Sequence, residues 1–109
     1  MKGISNSDFL YLRERLTEER FQMADDKSVE YTQGSNDRLI NFTRTAEDTD
    51  LPWVKVWYFP FKKHLDSLIY WMKNDGKVHL VEGIKQKIFD IQNYLDLLLA
   101  RIEVNKGKV

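Results

Sequence analysis

The sequence predicts an all-α protein, a single-domain bundle of about four helices. Apolar residues recur three and four positions apart in four segments, which is the spacing of one face of an α-helix. Short stretches containing Gly, Pro or Asp separate the segments, and short connections favour antiparallel neighbours. With 109 residues and 42% hydrophobic content, the chain can form one core. We expect one domain over residues 1–109, with a flexible tail from about 104 to 109.

The first predicted helix begins after Ser7, a suitable N-cap. Its apolar residues fall at helical spacing: Phe9, Leu12, Leu16 and Met23. We expect it to end near the two aspartates at positions 25 and 26. Residues 25–35, DDKSVEYTQGS, are polar and contain Gly34, so they predict a loop.

The second predicted helix is short, with Ser35 or Asn36 as its cap. Its inner face carries Leu39, Phe42 and Ala46. The sequence EDTDLP then ends this helix.

The third predicted helix opens with an Asp50 cap and with Pro52 in its first turn, where proline is tolerated. Its apolar stripe consists of Val54, Trp57, Phe61, Leu65, Leu68 and Met72. Pro60 lies inside the pattern and lacks a backbone donor, so it predicts a kink or a split in this helix. The turn NDGK at residues 74–77 ends the segment.

The last predicted helix runs from about Val81 to about Arg101. Its apolar seam, predicted to be buried, consists of Ile84, Ile88, Ile91, Leu95, Leu98 and Ile102. A flank of more mixed character borders this seam: Gly83, Lys87, Asp90, Tyr94, Leu97 and Arg101.

The third and fourth helices carry more apolar residues than their main stripes require. Those outside the stripes are Trp53, Tyr58, Phe59, Ile69, Trp71, Phe89, Leu97 and Leu99. A monomer of this size must expose some of them, so we expect a homo-oligomer whose subunits meet through one of these helices.

Composition excludes several classes of function. Lys and Arg number 17 and Asp and Glu number 17, so no overall field draws the protein to nucleic acid or to an anionic membrane. No apolar run approaches the roughly 20 residues that cross a bilayer, and the polar start MKGISNSDFLYLRERL lacks a signal-peptide core. The absence of Cys excludes disulfides, thiolate metal sites and a Cys nucleophile. We expect a cytoplasmic protein without general nucleic-acid binding.

Asp90 and Asn93 lie among the apolar residues of the last helix and raise the question of a site. At about 100° per residue, both lie beside the seam rather than on it. They are either boundary residues bonded to a neighbouring Arg, Lys or helix terminus, or contacts to a ligand in a groove between helices.

Two other segments carry polar side chains of a similar kind. The second segment has Tyr31, Arg38 and Asn41, and an arginine at a helix N-terminus is either an anion site or simply solvated. The third helix has Lys63, His64 and Asp66, with Lys62 able to pair with Asp66 at i,i+4.

A metal site has little support in the sequence. The only histidine besides His64 is His79, in a loop-like stretch, so we expect no two-His metal centre.

Three blocks of the sequence together resemble a known family. The blocks are EYTQGSNDRLINF at 30–42, KHLDS at 63–67 and EGIKQKIFDIQNYLDLL at 82–98. They resemble the patterns EYT-(loop)-DRLxNF, KHxDS and EGRIxDxxNYxxLL of small helical proteins encoded by bacteriophages, close to the nucleotide modification associated domain 1 family. The resemblance covers most of residues 27–100. Lys85 stands where the pattern has Arg. This difference keeps the positive charge but removes a planar bidentate donor.

The resemblance implies a phage-borne, all-helical protein linked to nucleotide chemistry, acting in the host cell cytoplasm. It also implies a ligand-binding set drawn from the three blocks: Tyr31, Arg38, Asn41, Lys63, His64, Asp66, Asp90 and Asn93.

Three functions remain open, and non-enzymatic binding is favoured. The first is a protein that binds a nucleotide, or sequesters a nucleotide second messenger of host defence, with Tyr94 as a further aromatic face. The second is a nucleoside triphosphate pyrophosphatase that resembles the MazG-like enzymes. Of the three functions, only this one implies a cofactor, which is Mg²⁺. Its candidate ligands are Glu14, Glu18, Asp66 and Asp90. The third is a structural protein whose surface aromatics dock a partner.

Overall fold

Four α-helices make up the fold, and the computed structural model describes residues 2–107. The helices are α1 (Asn6–Tyr31), α2 (Ile40–Thr49), α3 (Trp53–Lys73) and α4 (Ile84–Asn105), and this part of the chain contains no strand. The predicted all-α bundle of four helices is therefore confirmed. None of these described helices combines the length and the low polarity that a bilayer crossing requires.

The start of α1 lies two residues before the predicted one. Ser5, not Ser7, is the N-cap, because its hydroxyl accepts a hydrogen bond from the Asp8 backbone N–H at 3.1 Å. The Asp8 carboxylate then lies in the first turn, where a negative charge suits the helix dipole.

The end of α1 also differs, and the loop predicted over residues 25–35 is wrong for its first part. The helix continues to Tyr31, because DDKSVEY is polar but contains no Gly or Pro to end it. The chain leaves the helix at Gln33 and Gly34, whose φ angles of 54° and 76° lie in the left-handed region. The Thr32 hydroxyl donates to the Ser28 carbonyl at 2.7 Å and secures the last turn.

The polar residues before α2 and α3 also have roles other than those predicted. Ser35 organises the turn that precedes α2, since its hydroxyl accepts from the Asp37 N–H at 3.1 Å, and α2 itself begins only at Ile40. Asp50 closes α2 in a left-handed conformation, with φ of 55°, rather than capping α3. The N-cap of α3 is Pro52.

The predicted split at Pro60 is wrong. α3 runs as one helix from Trp53 to Lys73 with Pro60 inside it, and no kink is shown. A proline removes only one backbone donor. On either side of it, the rings of Trp57 and Phe61 stack with their centroids 4.7 Å apart, which holds the two flanking turns together.

An aromatic core joins α2, α3 and α4. We use that name for the buried cluster of Phe42, Trp53, Val56 and Trp57. The Phe42 and Trp53 rings lie 5.3 Å apart, and the Trp57 indole N–H donates to the Tyr94 backbone carbonyl of α4 at 2.8 Å. The α3–α4 contact is the most extensive in the molecule, whereas α1 touches α4 more sparsely and has no buried residue.

The buried face of α4 is not the predicted seam. Ile88, Leu95 and Ile102 are 39%, 42% and 38% exposed, so the prediction that the whole seam is buried is wrong. The buried residues of α4 include Lys87 and Asp90, which belong to the flank. The aromatic core packs on Tyr94 and Leu97 of the flank and on Leu98, and α1 leaves much of the predicted seam uncovered.

The apolar residues predicted to lie outside the main stripes include both buried and exposed ones. Trp53 and Phe89 are buried, whereas Tyr58, Phe59 and Leu99 are exposed. The predicted tail overlaps the last two residues of α4, and residues 108 and 109 lie outside the described part of the chain.

We expect Trp57→Ala to lower the free energy of unfolding by roughly 3 to 5 kcal/mol, because it removes a buried ring and leaves a cavity. Val54→Ala, on the exposed side of α3, should change it by less than about 0.5 kcal/mol. Urea denaturation followed by far-UV circular dichroism measures both. Equal losses would show that the α3–α4 aromatic packing is not the core.

Candidate functional site

An open groove of about 150 Å³ lies between α1, the segment before α2, and α4. We call it the α1–α4 groove. Six of the residues proposed from the sequence line it: Tyr31, Arg38, Asn41, Asp90, Asn93 and Tyr94. The structure therefore brings together residues from the first and third sequence blocks.

The wall from α1 is a regular helical face. Phe21, Ala24, Lys27, Ser28 and Tyr31 line the groove and follow one another at intervals of three, three, one and three residues. With a rise of about 1.5 Å per residue, this wall is about 15 Å long. It exists only because α1 continues through the segment predicted to be a loop.

Asp90 is the buried charge of the site. The residue is 6% exposed, and its Oδ1 accepts a hydrogen bond from the Gln86 side-chain amide at 2.9 Å. Lys27 Nζ lies 3.4 Å from the same oxygen, and His64 Nδ1 lies 3.6 Å from Oδ2. A buried carboxylate is costly unless it is paired, and Gln86 of α4 and Lys27 of α1 supply the pairing.

His64 lies behind the groove wall rather than in it. Its ring centroid is 5.5 Å from that of Tyr94, and its buried Nδ1 has no hydrogen-bond partner among residues 2–107. Burial lowers the pKa of His64, the charges of Lys87 and Lys63 lower it further, and the Asp90 carboxylate opposes the shift. His64 is therefore neutral at pH 7 and fills space beside Asp90 without carrying a charge.

Asn93 and Asp96 are joined to α1 through Arg20. One guanidinium nitrogen of Arg20 donates to Asp96 Oδ2 at 2.6 Å and to Asn93 Oδ1 at 3.1 Å. The carbonyl oxygen of the Asn93 amide is thus occupied. Its NH₂ group makes no hydrogen bond within the described part of the chain and remains a donor at the groove.

Arg38 forms an ion pair with Asp25 at the mouth of the groove. Both terminal guanidinium nitrogens lie 3.1 Å from Asp25 Oδ1. The two side chains are 50% and 63% exposed, and solvent weakens an exposed pair to about 0–1 kcal/mol. Another anion can therefore displace Asp25 at little cost.

Tyr94 forms an inner aromatic wall. Its ring meets Phe42 edge-on with centroids 6.0 Å apart. Burial, with smaller effects of Tyr31 and Asp90, raises the pKa of Tyr94 to about 12, so the phenol is uncharged at neutral pH.

Lys63 and Asp66, from the second sequence block, do not line the groove. Asp66 pairs with Lys62 one turn away on the exposed side of α3, the pair expected from the i,i+4 spacing. Lys63 is exposed next to this pair. The KHLDS block therefore reaches the site only through His64, from behind.

The carboxylates proposed as Mg²⁺ ligands are engaged separately. Asp66 is paired with Lys62 and Asp90 with Gln86 and Lys27, while Glu14 and Glu18 are exposed on α1. Within residues 2–107, no group of three or more His, Cys, Asp or Glu side chains is placed to hold a metal ion.

Several groove residues were not anticipated from the sequence. They are Phe21, Asp25 and Lys27, together with Arg20, which bonds to Asn93. The spacing of Ala24, Lys27, Ser28 and Tyr31, three and four residues apart, is the signal that could have revealed Lys27. The polarity of the segment concealed it.

Comparison with protein-family models, with curated proteins and with solved structures found no match. Two of the three sequence blocks quoted above, 30–42 and 82–98, contribute residues to the groove.

We expect His64 to make the free energy of unfolding fall more steeply on mild acidification than it does in a variant without this histidine. A histidine whose folded-state pKa is lowered binds a proton more readily in the unfolded chain. Its contribution to the free energy of unfolding is therefore complete above the unfolded pKa of about 6.5 and is lost as the pH falls below that value. Urea denaturation between about pH 7.5 and pH 5.5 spans this range. His64→Gln should flatten the dependence.

The control is His79→Gln, at the other histidine, which is exposed. It should leave the pH dependence unchanged. An unaltered slope in His64→Gln would contradict the assignment, whatever the absolute stability of that variant.

Proposed function

We propose that the α1–α4 groove binds a nucleotide without turning it over. The observation that carries the proposal is the joint presence in one groove of aromatic faces, cationic donors and side-chain amides. These are the groups that recognise a base, a phosphate and a base edge. On the sequence resemblance, the ligand is a nucleotide or a nucleotide second messenger of host defence, which the protein sequesters.

The base has an available ring on which to stack. Tyr31 is exposed at one end of the groove, whereas Tyr94 is already packed against Phe42 and His64. Stacking of a base on an aromatic side chain contributes about 1–3 kcal/mol. Tyr31 is therefore the platform in this proposal, and Tyr94 forms the floor beside it.

The phosphate takes the place of Asp25 on Arg38. A single carboxylate oxygen now contacts both terminal nitrogens of the guanidinium, as one phosphate oxygen would. Because the Arg38–Asp25 pair is exposed, exchanging one anion for another sacrifices little stability. Lys27 supplies a second positive charge nearby, held 3.4 Å from Asp90.

The base edge meets the two amides. The Asn93 NH₂ group is a free donor held in place through its oxygen by Arg20, and Asn41 lines the same groove from α2. An amide offers both a donor and an acceptor, which suits the edge of a base. A groove volume of about 150 Å³ is smaller than a pocket that encloses a whole ligand, so part of the nucleotide lies outside it.

Binding is favoured over hydrolysis by the state of Asp90. Its Oδ1 accepts from the Gln86 amide and lies 3.4 Å from Lys27 Nζ, so this oxygen is already engaged and is not open to Mg²⁺. The groove supplies groups for recognition, and the chemistry of a pyrophosphatase needs a set of converging carboxylates.

Mass spectrometry of the denatured, purified protein tests for a bound nucleotide. We expect one to be released. If none is released, and no ribonucleoside mono-, di- or triphosphate or cyclic nucleotide raises the melting temperature, the proposal is wrong.

Substitutions at the Arg38–Asp25 pair should change the affinity for that nucleotide in opposite directions. Arg38→Ala removes a hydrogen-bond donor to the phosphate and should weaken binding about tenfold or more, a loss of 1.4 kcal/mol or more. Asp25→Asn removes the competing anion and should strengthen binding severalfold. Isothermal titration calorimetry measures both affinities.

Arg44→Ala is the matched control, an exposed arginine of α2 outside the groove. It should bind as the wild type does. Weaker binding in Asp25→Asn would show that Asp25 contacts the ligand itself, which contradicts the displacement of Asp25 by phosphate.

A further inference from the structure

We propose that a second copy of this chain covers an apolar face formed by the N-terminal half of α1 and the exposed stripe of α4. This outer face consists of Phe9, Leu12, Ile88, Leu95, Leu99 and Ile102. It differs from the α1–α4 groove, and it does not depend on the proposed nucleotide.

The shape of the chain leaves too much surface for a monomer. Its accessible surface is 8282 Å², whereas a folded monomer of 13.0 kDa exposes about 6,300 Å². Its radius of gyration is 16.3 Å, whereas about 13 Å is usual for this length. The excess is more than the roughly 800 Å² per partner that a stable interface buries.

The helix α1 contributes to this excess, because none of its residues is buried. A helix of 26 residues with no buried residue gains little from packing, and helices in water depend on tertiary packing for stability. Phe9 and Leu12 are exposed, and with Leu16 they face Ile88 across an open groove of about 210 Å³. The N-terminal half of α1 thus needs a partner to cover it.

The exposed stripe of α4 indicates what that partner is. Positions 88, 92, 95, 99 and 102 alternate four and three residues apart, which is the seam spacing of paired helices. Four of the five are Ile or Leu, and the exception is Gln92, which is exposed. Such a seam fits a helix with the same spacing, and a second α4 has it. A two-fold axis would place the same face on both subunits.

Equilibrium sedimentation at micromolar concentrations tests the proposal on the full chain. We expect the wild type to be a dimer or a larger even-numbered assembly. Leu99→Lys introduces a charge at the seam and should raise the dissociation constant about 30-fold or more. A cation near the end of α4 is compatible with the helix dipole, so the helix itself should persist.

Phe59→Lys is the matched control. Leu99 is 59% exposed and Phe59 is 61% exposed, but Phe59 lies on α3 beside α2. The control should change the dissociation constant by less than threefold. Leu99→Ala is a milder variant of the seam, and a weaker dimer in this variant supports the proposal even if Leu99→Lys fails to fold.

Two results would overturn the proposal. One is a monomeric wild type at all concentrations, which would leave this face to a partner of another class. The other is dissociation by Phe59→Lys with no effect of either Leu99 variant, which would place the interface on α3.

Discussion

The packing of the α3 aromatic side chains against α4 is the constraint on which the rest of the structure depends. The Trp57 indole is buried between the two helices and donates to the Tyr94 carbonyl at 2.8 Å, so it fixes both their spacing and the rotation of α4. That rotation turns Tyr94 and Asp90 inward and leaves Leu95 outward. One side of α4 becomes a polar, partly aromatic wall and another remains an uncovered apolar stripe.

The attachment of α1 follows from this rotation. The side of α4 that α1 meets carries Asp90, Asn93 and Asp96, and α1 binds it through Arg20 and Lys27 rather than through a buried apolar face. Polar contacts between long side chains hold two helices farther apart than interlocked apolar side chains do, and the α1–α4 groove is the space that remains. A ligand with an aromatic ring and a negative charge would fill this groove. A second subunit would cover the opposite, apolar side of α4.

Much of the fold follows from the sequence, because four segments with apolar residues three and four positions apart predict four helices. The face of α4 was mistaken because Ile84 to Ile102 forms the more regular pattern, and periodicity indicates a face without identifying its partner. Trp53 was placed outside the main stripe of α3 for the same reason, although it is buried. Asp90 and Asn93 were found because polar residues beside a seam are conspicuous, whereas Lys27 was hidden in a segment whose polarity suggested a loop. Its contact with Asp90 joins residues 63 positions apart, which no local pattern can reveal.

The central claim is that the α1–α4 groove, and no other surface, binds a nucleotide. Heteronuclear NMR of the ¹⁵N-labelled protein tests it most directly, because the side-chain NH₂ groups of Asn41 and Asn93 each give their own signals. Titration with the nucleotide should shift these two pairs and the backbone amides of residues 21–31. The NH₂ signals of Gln92, one residue away on the exposed side of α4, should not move. Shifts confined to Gln92 and the outer face, or no saturable shift with any nucleotide, would contradict the account.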